Sequence, residues 1–164
     1  EFLQYLQTAP QILAECPAFL PELAHYEWIE LELDTSDRDA HLPPFDAAGD
    51  LMAGRPLLNP VLHVLAYRWP VHRLSPRFKP GEPPLEPTFT LAFRNADLQV
   101  RFMLINAASA RLLNLFQEYP ELSGDEVVGL LAGELDMPQE TLSGFVRALV
   151  QDLHAQGAIL GVLT

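Results

Sequence analysis

The sequence predicts an α+β chain, in which a helical N-terminal remnant leads into a winged-helix-like domain made of a small antiparallel sheet and three helices. Three observations predict it. First, Phe89, Leu91 and Phe93 alternate with Thr88, Thr90, Ala92 and Arg94, and after a turn Val100, Phe102 and Leu104 alternate with Arg101, Met103 and Ile105. That is the period-2 pattern of a β-hairpin. Second, Leu142, Phe145, Val146, Leu149, Val150 and Leu153 recur at i, i+3, i+4, i+7, i+8 and i+11, an amphipathic helix. Third, two helix-start signals precede that helix: Asn106 as an N-cap, and Ser123 with Glu126 as a capping box.

The elements follow in chain order. Glu1 to Leu6 reads as helix with no cap ahead of it and no initial Met, so residues 1–35 are expected to be the end of a helical domain whose start is missing. Pro21 suits the first turn of a helix running from about Leu20 to Asp34. Its apolar side chains lie on more than one side, which predicts burial against two surfaces. Residues 36–60 are rich in Pro, Gly, Ser and Asp and read as a linker. Residues 61–164 form the winged-helix-like domain. Val61 to Arg73 favours a strand, and Pro70 restricts it to an edge or a broken strand. A Pro-rich loop from Ser75 to Pro87 leads into the hairpin, which turns at Asn95, Ala96 and Asp97. A helix through Tyr119, a second to about Leu135 and a third opened by Pro138 and ended by Gly157 come next. Ala158 to Leu163 is a final apolar strand. Gly129, Gly133 and Gly144 are isolated within the helices and are expected to permit close helix packing.

Composition narrows the function. A chain of 164 residues buries roughly 70% of its unfolded surface, so it needs no disulfides. Its one cysteine, Cys16, excludes an internal disulfide framework and a cysteine-built zinc cluster. No apolar run approaches the roughly 20 residues of a membrane span, and no secretion signal is visible, which sets a cytoplasmic expectation. The net charge is −12, which disfavours nucleic acid as a partner. Charge is also segregated: residues 1–40 carry −8, residues 56–105 carry +3 and residues 106–164 carry −6. A mildly basic centre between acidic flanks suits the steering of a charged partner.

No catalytic or metal-binding constellation emerges. His25 and Glu27 are two residues apart on a helix and do not share a face; Glu27 and Glu30 do. His63 and His72 would point to opposite faces of an unbroken strand. Cys16 lies before Pro17 in an acidic neighbourhood, with no base beside it in sequence to activate it as a nucleophile. No serine has a nucleophile-elbow context, and no Gly-rich phosphate loop is present. The expectation is a protein with no catalytic residues, no bound metal and no cofactor.

Two binding readings remain. A winged-helix DNA-binding transcriptional regulator would use the third helix in the major groove. Its outward positions Gln139, Glu140, Ser143, Arg147, Gln151 and Asp152 offer one base against two acids, a poor surface for phosphate. Strand addition of a peptide fits better, because Gln99 to Ile105 forms an edge beside the third helix. On this reading Val100, Phe102 and Leu104 fill the core. Gln99, Arg101, Met103 and Ile105, with Arg147 and Gln151 on the helix, are the candidate peptide-binding residues.

Two stretches carry a resemblance. One is Phe19-Leu20-Pro21-Glu22-Leu23-Ala24-His25-Tyr26-Glu27-Trp28 followed by Glu30-Leu31. The other is Leu65-Ala66-Tyr67-Arg68-Trp69-Pro70-Val71-His72-Arg73-Leu74, then Glu82-Pro83-Pro84 and Arg101-Phe102-Met103. Together they resemble the HvfC/BufC-type peptide-modification proteins, long described as DNA-binding domains of unknown function, over nearly the whole chain. The resemblance implies a partner of a multinuclear non-haem iron enzyme that modifies cysteines in a ribosomally made precursor peptide, with the iron held by the enzyme. Separately, Leu104-Ile105-Asn106-Ala107-Ala108-Ser109-Ala110 and the helices after it resemble precursor-recognition domains of the PqqD type. That likeness implies a peptide seated between the third strand and the third helix.

Overall fold

The computed structural model describes residues 16–164; the helix expected from Glu1 lies outside them. Helix α1 spans Leu20–Thr35, with Pro21 in its first turn. Two short strands follow, β1 at Phe45–Asp46 and β2 at Pro56–Leu58. Strand β3 spans Leu62–Tyr67, and a 3₁₀ turn follows at Val71–Arg73. The hairpin is β4, Thr88–Arg94, and β5, Val100–Ile105. Helices α2, Ala107–Glu118, α3, Gly124–Leu135, and α4, Gln139–Ala155, lead to β6, Ile159–Leu163. The chain is α+β, with four helices and two antiparallel sheets ordered β1-β6-β2 and β3-β4-β5 among the described residues.

The helix ends form as their residues dictate. The Asn106 side chain accepts from the Ser109 amide at 2.8 Å. Ser123 accepts from the Glu126 amide while the Glu126 carboxylate accepts from the Ser123 amide, a reciprocal capping box. At the end of α4, Gly157 turns left-handed with φ 84°. Its amide bonds the His154 carbonyl, and the Ala158 amide reaches back to Leu153, which closes a Schellman motif.

The stretch read as a linker holds two strands. Residue Phe45 pairs with Leu163, and Leu57 with Gly161. The apolar strand β6 therefore finds its partners in residues 36–60 and does not join the hairpin. Pro56 stands at the start of β2, where its missing N–H is tolerated. The turn between β1 and β2 also caps α3, because the Gly54 and Met52 carbonyls accept from the Gly124 and Asp125 amides. A Cβ on Gly124 would meet the Leu51 carbonyl and stand 2.8 Å from the Met52 Cα. Gly124→Ala is therefore expected to destabilise the fold by about 1–3 kcal/mol in urea unfolding, because both neighbours are backbone. Close packing was expected instead at Gly129, Gly133 and Gly144. A Cβ on Gly133 or Gly144 would touch nothing, and one on Gly129 would meet only the Gln139 side chain.

The hairpin sheet is buried on both faces. Leu62, Leu91 and Phe93, with Met103 and Ile105, pack into the main core with α2, α3 and α4. Val61 and Ala92, with Leu65, Val100 and Phe102, pack against Ile29 and Leu33 of α1. The expectation that Val100, Phe102 and Leu104 fill the core is thus corrected. Val100 and Phe102 face α1, Leu104 is 60% exposed, and Met103 and Ile105 are the residues against the main core. An alternation of two apolar sets does not say which face meets which layer.

Polar anchors seat α1 on the sheet. The Trp69 amide donates to Glu22 at 2.8 Å, and His25 Nδ1 lies 3.0 Å from the Tyr67 hydroxyl. Tyr26 stacks on Phe102 with ring centroids 4.5 Å apart. His63 and Arg38 both meet Glu32. Burial, and then the neighbouring His63, hold His25 below the ordinary imidazole pKa, with Glu22 opposing. Burial lowers His72 as well, helped by Arg73. A lowered folded pKa means that the unfolded chain takes up the proton first, so stability falls as pH drops below the unfolded value of 6.5. The urea midpoint is expected to be lower at about pH 5.5 than at about pH 7.5, and His25→Phe is expected to shrink that difference.

Candidate functional site

Among the described residues, strand β5 pairs with β4 on one side and ends the sheet on the other. Its free groups follow from the hairpin register. The Asn95 amide bonds the Gln99 carbonyl, so Asn95 and Gln99 face each other across the ladder. Antiparallel pairs alternate between bonded and non-bonded. With Phe93 opposite Arg101, Leu91 opposite Met103 and Phe89 opposite Ile105, the main-chain groups of Arg101, Met103 and Ile105 point into the sheet. Those of Val100, Phe102 and Leu104 point out. The Arg94 amide bonds the Val61 carbonyl on the β3 side, which fixes the same alternation in the central strand.

A pocket of about 390 Å³ lies between β5 and the C-terminal end of α4, lined by Asn95, Arg101, Phe102, Met103, Ala155 and Gln156. Met103, Ile105 and Leu149 are among the half-buried side chains at the margin of the main core. On α4 the row Phe145, Leu149, Asp152 and Gln156 runs at i, i+4, i+7 and i+11, beside the buried stripe of Leu142, Val146, Val150 and Leu153. Phe145 is 44% exposed. The Gln156 amide group donates to the Asp152 carboxylate at 2.9 Å.

The sequence candidates divide between two places. Arg101 and Met103 line the β5 pocket; Gln99 is exposed at its start, and its side-chain carbonyl accepts from Arg101 at 2.7 Å. Ile105 packs on the main core. Arg147 and Gln151 do not join them. They line a separate pocket of about 380 Å³ with Ala47 to Met52, Val150 and His154. Helical geometry is the reason: both lie on the opposite flank of the buried stripe from Leu149 and Gln156. There Arg147 stands 3.9 Å from Asp50, whose carboxyl is held below the usual range by the Met52 and Ala53 amides. On α4, Ala155 and Gln156 line the β5 pocket, and Phe145, Leu149 and Asp152 share the helix row of Gln156. The sequence assigned Phe145 and Leu149 to the core. The row beside the core stripe was the available signal.

No group of three metal-type ligands gathers among the described residues. His25 and His63 are both engaged where α1 meets β3, with Tyr67 and with Glu32, and His154 is engaged with the Ile159 carbonyl. No helix among the described residues is long and apolar enough to cross a membrane.

The architecture defines a winged-helix-like protein whose sheet, among the described residues, ends in an open strand edge beside the C-terminal end of α4. The family model of the HvfC C-terminal domain matches residues 59–154, more than half of the chain. The chain belongs to that family, as the resemblance implied. A comparison with curated proteins found no match.

Proposed function

We propose that this chain is a non-catalytic partner in the maturation of a ribosomally made peptide. On this reading it binds a Cys-containing precursor as a strand added to β5. It also binds the multinuclear non-haem iron enzyme that oxidises the precursor's cysteines. The observation that carries the reading is the free edge of Val100, Phe102 and Leu104 beside the pocket toward α4, in a chain of the HvfC family. The PqqD-type likeness supports the same strand and helix as walls. Outward main-chain groups supply affinity, and the side chains of Arg101, Met103, Phe145 and Gln156 supply selectivity. Iron chemistry belongs to the partner, and this chain needs only to hold the peptide.

The DNA-binding alternative has little physical support. On α4, Arg147 stands near Asp50, and Glu140 and Asp152 are exposed with it. A phosphate backbone would meet more acid than base.

Co-expression of the full-length protein with its neighbouring iron enzyme and a Cys-containing small peptide tests the reading. A complex holding all three is expected on size exclusion. Recovery of this protein alone, with neither partner, would contradict it.

A further inference from the structure

A strand added to β5 would have two faces, and only one of them meets α4. On the other face lies a second groove, of about 450 Å³, between α1 and the β4–β5 turn. Its apolar part is Leu31, Leu98 and Val100, and Leu31 and Leu98 are 60% and 68% exposed. Its rim is Glu27, Glu30 and Asp34. None of these three carboxylates makes an ion pair among the described residues, while Glu32 on the same helix pairs with both Arg38 and His63. The groove runs on from the β5 edge, because Gln99 and Val100 line it.

We propose that α1 forms the second wall of the peptide site and selects a strand with basic residues at alternate positions. This rests on the reading of β5 as a peptide-binding edge. Side chains directly opposite each other on neighbouring strands share a face. Peptide residues opposite Val100 and Phe102 therefore face α1, and those opposite Arg101 and Met103 face α4. A Lys or Arg at the first set lays its aliphatic stem on Leu31 and Leu98 and brings its charge to Glu27, Glu30 and Asp34. A Glu there meets three unpaired carboxylates. The α4 face sets the opposite preference, since Arg101 is its cation. The site thus reads a strand with two chemistries, basic toward α1 and apolar or acidic toward α4. Residues 16–40 hold seven acids against Arg38, a net −6 that steers a basic strand toward this wall.

Two synthetic peptides test this, each with Glu at every second position to meet Arg101 and with either Lys or Glu at the positions between, so that the residues turned toward α1 are Lys in one peptide and Glu in the other. Binding to the whole chain is measured by calorimetry at low and high salt. The Lys peptide is expected to bind about tenfold tighter, as three partly exposed charge pairs would give. The preference should shrink with salt. It should also vanish in the triple variant Glu27→Gln, Glu30→Gln, Asp34→Asn, which keeps the helix and removes the charges. Equal binding of both peptides, each abolished by Leu104→Pro, would overturn the second wall and leave the β5 edge standing. A Lys preference that survives Leu104→Pro would overturn the edge itself and with it this inference. So would no binding of either peptide. A preference that persists in the triple variant would place the selecting charge elsewhere and overturn the assignment to α1.

Discussion

Leu104→Pro is expected to weaken precursor-peptide binding by more than about tenfold with little loss of stability, and Met103→Pro is expected to destabilise the fold itself. The two residues are neighbours, and the opposite outcomes follow from where their amides point. The Leu104 amide points out of the sheet, and its side chain is 60% exposed. A proline there removes no ladder bond, and its ring stands where an incoming strand must pair. Met103 lies opposite Leu91 in a bonded pair and packs on the main core. A proline there removes a ladder bond, orphans a buried carbonyl and displaces a core side chain, on the order of 2–4 kcal/mol together. Circular dichroism separates the variants by fold, and calorimetry separates them by binding. Leu104→Pro binding the peptide as well as the native chain does would remove β5 from the site.

Arg94→Ala is expected to carry the largest stability loss of the described polar contacts. Arg94 lies on the central strand and is buried, and its guanidinium donates to the Asp34 and Ser36 carbonyls, each at 2.6 Å. It also meets both carboxylate oxygens of Asp39, at 2.8 and 2.9 Å. One side chain thus closes the C-terminal end of α1 and ties it to the sheet. Removing a buried partner costs about 3–5 kcal/mol. Here Asp39 is about one-third exposed and regains water, which brings the expected loss to about 2–4 kcal/mol. Arg94→Lys should recover little, because an ammonium cannot span two carbonyls and a carboxylate as the planar fork does. A loss below about 1 kcal/mol in urea unfolding would show that α1 is held chiefly by Ile29 and Leu33. The same variant should weaken any preference that α1 gives the site.

What the sequence reveals here is local chemistry. The hairpin, the two helix caps, the amphipathic third helix and its Gly157 stop are each written in a few adjacent residues, and each forms as expected. What it hides is partnership across distance. Residues 36–60 read as a linker because Pro and Gly break every period, yet two- and three-residue strands need no period of their own when β6 supplies the partner. The sheet face was misassigned for the same reason. Val100 with Phe102 and Met103 with Ile105 are both apolar pairs, and only the packing of α1 decides which pair meets it.

The candidate site was partly legible. The edge itself follows from strand order, and Arg101 and Met103 line the pocket as expected. The helix candidates Arg147 and Gln151 line a different pocket, with Ala47 to Met52. Both are polar and outward, but outward on a helix covers more than half of its circumference. The pocket beside β5 is lined on the helix side by Ala155 and Gln156 instead. In the sequence Glu27 and Glu30 are only two acids that share a helix face, because nothing local brings Leu98 of the hairpin turn beside them.

Amide hydrogen exchange across β5, with and without the precursor peptide, tests the central claim most directly. Without peptide, the amides of Arg101, Met103 and Ile105 are expected to be protected, and those of Phe102 and Leu104 to exchange fast. With peptide, Phe102 and Leu104 should become protected while the first three change little. Peptide binding that leaves Phe102 and Leu104 exchanging as before would contradict strand addition at β5.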